Sequence, residues 1–130
     1  MAIIHVTGNN FDETVKQGVV LLDFWAAWCA PCRAFGPVFE AAAARHPEVV
    51  FGKVDTEAET GLAEAFQVQS IPTLMVLRDG VLLALQPGAI PASALDELIL
   101  KVQALDMAVV RRRVAVQEQA ASQAAAEGGV

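Results

Sequence analysis

Val19-Val20-Leu21-Leu22-Asp23-Phe24-Trp25 leads through Ala26-Ala27-Trp28 into Cys29-Ala30-Pro31-Cys32. The first seven residues are nearly all apolar, which suits a central strand covered on both faces. The cysteines then open a helix. From Arg33 to Arg45, Phe35, Val38, Phe39, Ala42 and Ala43 recur at helical spacing. Pro37 lies inside that pattern and is expected to kink the helix rather than end it. Asp23 breaks the apolar run, so the strand carries a carboxyl into the interior. Buried without a partner, such a group raises its pKa and takes up a proton. Lys53, which interrupts another strand, offers a purely structural partner for it.

Outward from this stretch the pattern stays regular. Ile3-Ile4-His5-Val6 is β-branched and reads as a strand. Asn10-Phe11-Asp12-Glu13 has a cap residue with Glu three positions on, a helix-start signature. Val49 to Val54 is a second interior strand, and Leu62, Ala65 and Phe66 form one face of a short helix. Thr73–Leu77 and Val81–Gln86 are strands joined by Asp79-Gly80, a strong hairpin pair. Pro91 to Leu105 carries Leu95, Leu98, Ile99 and Val102 on one helical face, with Ser93 to Asp96 as a capping box. Strands and helices alternate first, and a hairpin and closing helix follow. That order predicts an α/β sandwich around a mixed sheet, its parallel part made by right-handed crossovers.

After Leu105 the character changes. Met107, Val110 and Val114 keep helical spacing around Arg111-Arg112-Arg113, and an Ala/Gln-rich stretch runs on to Glu127-Gly128-Gly129-Val130. Residues 106–130 are expected to be an extension, a solvated helix that frays into a disordered tail. The rival reading is a docking or self-association helix. Residues 1–105 form the domain proper.

Composition narrows the function. The 130 residues are 55% hydrophobic and carry a net charge of −6, enough for one domain with a buried core. The acidic balance argues against nucleic acid as a partner, since phosphate contacts need a basic face. The longest apolar run, Val19 to Ala30, is broken by Asp23, so no membrane span is expected. Residues 1–8 have neither a basic region nor a long apolar one, so no signal peptide is read and a cytoplasmic location is expected.

In a reducing compartment two cysteines three apart are more often catalytic or metal-binding than a structural cross-link. A closed zinc site needs four ligands. Only His5 and His46 could supplement the cysteines, and they do not form the usual spaced histidine pair. No metal is therefore expected within one chain, which leaves redox chemistry in the lead.

The motif Trp28-Cys29-Ala30-Pro31-Cys32, preceded by Leu22-Asp23-Phe24-Trp25, followed by Ile71-Pro72-Thr73 and closed by Gly88, resembles the thioredoxin family over roughly residues 3–105. The resemblance implies the thioredoxin fold, a central mixed β-sheet flanked by helices, here with a C-terminal helical extension. It implies a protein disulfide reductase that works by thiol–disulfide exchange. It needs no cofactor beyond a redox-active Cys29–Cys32 disulfide. Disulfide-containing proteins would be its substrates, and a flavin-dependent thioredoxin reductase its electron source. It leaves the oligomeric state open, a monomer included.

Roles follow from chemistry and from the resemblance together. A thiolate, not a thiol, attacks a disulfide, and free N–H groups at a helix N-terminus stabilise negative sulfur. Cys29 stands at that end and is the expected nucleophile. Cys32, one turn inside and less exposed, is the expected resolving thiol. Pro31 stiffens the loop where a missing N–H costs nothing. By resemblance, Asp23 lies beneath the cysteines and assists proton transfer at the resolving thiol, with Lys53 nearby. Also by resemblance, Ile71-Pro72 is a cis-proline loop facing the cysteines. There the backbone of Ile71 pairs with an extended substrate, and Trp28 and Gly88 complete the groove. Trp25, on the strand, is expected in the core.

Three residues depart from the family pattern. Ala30 stands where glycine is usual and leaves the reduction potential open. Arg33 replaces lysine. Pro87 removes a backbone donor at the groove rim. Two other readings stay available: a redox protein dedicated to one partner, chosen by the extension or by Pro87, and a non-catalytic interaction module. A metal or cluster shared by two chains is a third.

Overall fold

The computed structural model describes residues 3–128. The last two residues of the expected tail, 129 and 130, lie outside the described residues, as do residues 1 and 2 of the start read for a signal peptide.

The elements, in chain order, are β1 (Ile4–His5), α1 (Phe11–Val15), β2 (Val19–Trp25), α2 (Ala30–Arg45), β3 (Val50–Asp55), α3 (Thr60–Ala65), β4 (Thr73–Arg78), β5 (Val81–Pro87), α4 (Ala92–Gln103) and α5 (Met107–Gly128). One five-stranded sheet has the order β1-β3-β2-β4-β5. β1, β3 and β2 run parallel, while β4 and β5 are antiparallel to their neighbours. This is the mixed sheet flanked by helices that the alternating pattern predicts, with the further helix at its C-terminal end.

β2 is central, and the alternation of its side chains builds two cores. Val19 and Leu21 face α2 and α4, packing with Phe35, Phe39, Phe51, Leu95 and Ile99. Val20, Leu22 and Phe24 face the opposite way, toward Val6, Val15, Val54, Met75 and Leu77. Both faces are covered, so the strand is apolar along nearly its whole length. Each fully buried Leu or Phe contributes about 1.5–3 kcal/mol. Phe39 sits at the middle of an aromatic run, 5.9 Å from Phe35 and 5.1 Å from Phe51 between ring centroids.

Pro37 lies inside α2 without ending it. At the far end of α2, His46 Nε2 and Arg45 both meet Asp96 of α4, at 2.8 and 2.9 Å. That clasp ties the two helices together on one face of the sheet. The hairpin turn is made by Asp79 and Gly80, both left-handed, with φ of 51° and 81°. Glycine at the second of these positions carries no steric cost.

Two helix starts differ from expectation. α4 begins after Pro91, with no side-chain cap bond, so Ser93 to Asp96 is not a capping box. Pro91 presets the entry dihedral, and Asp96 is instead occupied by Arg45 and His46. Asn10 does stand at the N-cap of α1 but makes no cap bond. Its side chain accepts from Thr7 N–H and donates to the His5 carbonyl, bracing the β1–α1 loop.

α5 begins on a genuine cap, Asp106, whose carboxylate accepts from the N–H of Ala108 at 3.0 Å. Met107 is buried, and Arg111 reaches Asp79 at 3.7 Å. Beyond Val114, every residue through Glu127 is exposed. The helix continues through the Ala/Gln-rich stretch for which fraying is expected. Alanine and glutamine are strong helix formers and sustain a helix already nucleated against the body. Among the described residues no helix is long and apolar enough to cross a membrane.

Candidate active site

The parallel pairing of β2 with β3 brings the loops that follow them to the same end of the sheet. Cys29 is the N-cap of α2, and Pro31 lies in its first turn. The backbone N–H of Cys32 donates to Cys29 Sγ at 3.2 Å. The cysteines form a disulfide, with Cα atoms 5.2 Å apart. They pack with Ala26, and with Trp25 and Ile71 partly buried against them. The Ile71–Pro72 peptide bond is cis, and Cys29 Sγ lies 3.6 Å from the Ile71 carbonyl oxygen. A reduced Cys29 can donate its S–H there. Gly88, with φ of 86°, donates its N–H to the Pro72 carbonyl at 2.8 Å. The turn after β5 is thereby fastened to the cis-proline loop.

The cysteines do not differ in exposure as expected: Cys29 is 4% and Cys32 3% exposed. Ala26, Trp25 and Ile71 enclose both sulfurs alike. What distinguishes them is position on the helix, since only Cys29 sits where the Cys32 N–H points at its sulfur.

Asp23 is fully buried on β2, and its register partner on β3 is Lys53. Neither carboxylate oxygen has a hydrogen-bond partner among the described residues. Burial pushes its pKa up to about 6, opposed by the Lys53 charge. Lys53 Nζ lies 5.1 Å from the Trp25 ring centroid, over its face. A methyl group added at Gly36 of α2 would stand 3.7 Å from that nitrogen, so the lysine head lies close under the helix. Trp25 is half-buried rather than fully in the core, and its indole nitrogen is also without a partner among the described residues.

Trp28 is 67% exposed and flanks the cysteines in sequence. Its indole N–H donates to Glu57. Glu57 escapes sequence reasoning because it is 29 residues away; its signal is an acidic residue just after a strand parallel and adjacent to β2. Arg33, which departs from the family pattern, also braces the site. Its guanidinium donates to the Ala27 carbonyl at 2.9 Å, bracing the loop that carries the cysteines. Among the described residues there is no group of three or more His, Cys, Asp or Glu able to hold a metal.

A disulfide-forming pair at a helix N-terminus, just beyond the C-terminal end of the central strand of a mixed sheet and facing a cis-proline loop, defines a thiol–disulfide oxidoreductase. Comparison with known proteins agrees. The thioredoxin family model matches residues 2–101. A Streptomyces coelicolor protein named "Putative thioredoxin 2" is 53% identical over 116 residues, covering 88% of this chain and 87% of that one. The thioredoxin of Bacillus subtilis is 39% identical over 102 residues, covering 78% of this chain and 98% of its own. The solved structure of Malassezia sympodialis thioredoxin superposes with a TM-score of 0.68 at 31% identity, over 77% of this chain and 90% of that one. The chain belongs to the thioredoxin family and is a protein disulfide reductase acting through its C-x-x-C pair.

Proposed function

We propose that Cys29 is the attacking group and Cys32 the resolving one. The Cys29 thiolate attacks one sulfur of a substrate disulfide, forms a mixed disulfide and expels the other substrate sulfur as a thiolate. Cys32, once deprotonated, attacks Cys29 Sγ, closes the Cys29–Cys32 disulfide and releases the second substrate thiol. Two electrons pass from the dithiol to the substrate, so the reaction needs no further cofactor. The observation that carries the assignment is the Cys32 N–H aimed at Cys29 Sγ from the start of α2. Donor and helix dipole both favour negative charge on that sulfur.

Asp23 is the base that takes the Cys32 proton, and Lys53 tunes it. A carboxyl with a pKa near 6 is poised to hold and release a proton around neutrality. Substrate lies in extended form along Ile71 and Pro72, between Trp28 and Gly88, and is read mainly by its backbone. Pro31 keeps the loop stiff between the cysteines. A flavin-dependent thioredoxin reductase regenerates the dithiol, and a reducing compartment, the cytoplasm, suits a reductant of this kind. Residues 1–105 carry this chemistry, and residues 106–130 form a separate extension.

The test is a Cys32→Ser variant used as a covalent trap, with the captured proteins identified and the bonded cysteine mapped. Mixed disulfides on Cys29 are expected, and a matching Cys29→Ser variant should capture none. An empty trap, or capture through Cys32, overturns the assignment.

A further inference from the structure

Asp23 and Trp25 are two residues apart on β2 and so point to the same face of the sheet, the one that α2 covers. Lys53 stands opposite Asp23 in the parallel register with β3. Opposite charges on paired positions of neighbouring strands attract each other. These two do not close: neither Asp23 oxygen has a hydrogen-bond partner among the described residues. The lysine head lies instead over Trp25, with Nζ 5.1 Å from the ring centroid. A cation over an indole face is attracted by the ring quadrupole. Gly36 of α2 leaves the room for it, since a methyl group there would come within 3.7 Å of the nitrogen. The other positions around the pair are Leu74 of β4, beside Asp23, and His5 of β1, beside Lys53. His5 is exposed, as is Glu40 one turn beyond Gly36.

We propose that Trp25 is a positioning residue acting on Asp23 through Lys53: its ring holds the lysine ammonium off the carboxylate. The inference rests on the reading of Asp23 as the base that takes the Cys32 proton. A lysine closed onto that carboxylate would stabilise its charged form and weaken it as a base. Held over the ring, the same ammonium tempers the carboxyl without capturing it. Burial then outweighs the lysine, in keeping with a pKa of about 6. Trp25 has this part because of where it stands. It is the next position on the Asp23 face of β2 toward the cysteines, and it packs against the cluster that holds Cys29 and Cys32. The residue that helps enclose the cysteine pair therefore also takes the lysine.

Titration of the Asp23 carboxyl by carbon-13 NMR in the oxidised full chain tests this apart from turnover. Trp25→Leu should lower the Asp23 midpoint by about one pH unit or more, as Lys53 closes on the carboxylate. Trp25→Phe, which keeps a ring face, should lower it less. In a Lys53→Gln background, Trp25→Leu should leave the midpoint where Lys53→Gln alone puts it. A midpoint that does not fall in Trp25→Leu overturns the proposal. So does an equal fall in Trp25→Phe or in the Lys53→Gln background. If Trp25→Leu does not fold, the parent chain decides. Ring currents should place the Lys53 ε-protons upfield of those of Lys16 and Lys101, and coincident shifts overturn the placement. Stopped-flow rates of Cys29–Cys32 closure separate the two readings. If the midpoints move as expected while the pH profile of closure does not follow, Asp23 fails as the base and the hold of Trp25 on Lys53 stands.

Discussion

Asp23 is a carboxyl enclosed in protein, with no hydrogen-bond partner for either oxygen among the described residues. In the unfolded chain Asp23 titrates near 3.8, and in the folded chain near 6. The folded state therefore binds the proton more tightly. Its stability is full below about pH 4 and is eroded as pH rises through about 6, by roughly 3 kcal/mol for a shift of this size. Asp23→Ala removes that penalty. Urea unfolding of variant and parent should show their stability difference swinging in favour of the variant by about 3 kcal/mol between about pH 4 and about pH 8. A difference independent of pH would contradict the buried, ionised carboxylate. The same substitution reports on catalysis. Closure of the Cys29–Cys32 disulfide should slow on the order of a hundredfold, with the first attack on substrate less affected. Stopped-flow traces in which both steps slow equally would remove Asp23 from proton transfer.

At the scale of elements, what could be read from the sequence depended on where each signal lay. β2 matches its expected limits, Val19–Trp25, because a strand covered on both sides leaves an unbroken apolar run. Asp79-Gly80 marked the hairpin through its dihedral needs alone. Long-range partners left no such trace. Asp96 looked like part of a capping box, but the Arg45–His46 end of α2 claims it, and nothing within α4 announces that. The motif marks Trp28 as a candidate site residue, while its partner Glu57 leaves no mark in the sequence. The equal burial of the two cysteines comes from Trp25-Ala26 and Ile71 converging from two segments, which spacing along the chain does not reveal. Gly52 is a further case, read only as part of a strand. A methyl group there would meet Leu22 Cδ2 and Val6 Cγ2 at 2.7 Å. The β1–β3–β2 region of the sheet is thus packed to contact around a missing side chain. Gly52→Ala should cost about 1–3 kcal/mol, read as a lowered midpoint in urea with the slope unchanged. A neutral outcome would mean that this core yields more readily than its contacts imply.

Across the whole molecule, charge and architecture divide at the same place. Thirteen of the fifteen acids and six of the nine bases lie in residues 1–106, so that part carries −7 and the rest +1. The division also falls just beyond the family match, which ends at residue 101. α5 is attached through Met107 and Arg111, and Arg78 donates to the Val102, Gln103 and Leu105 carbonyls just before it. Removing residues 115–130 leaves those contacts intact. The truncated chain should reduce insulin at the parental rate and melt within about 2 °C of the parent. A fall in rate confined to captured protein substrates would assign the extension to partner choice. The attachment point has a mechanical consequence. Arg78 lies opposite Val19 in the sheet register, at the pole away from Trp25 and the cysteine loop. From there the exposed helical stretch, residues 115–127, makes a rod about 20 Å long. A floppy tether of the same length would let its tip wander, whereas a rod keeps it at a fixed standoff. Anything joined to the tip would be held at a set distance from the Met107–Arg111 attachment point.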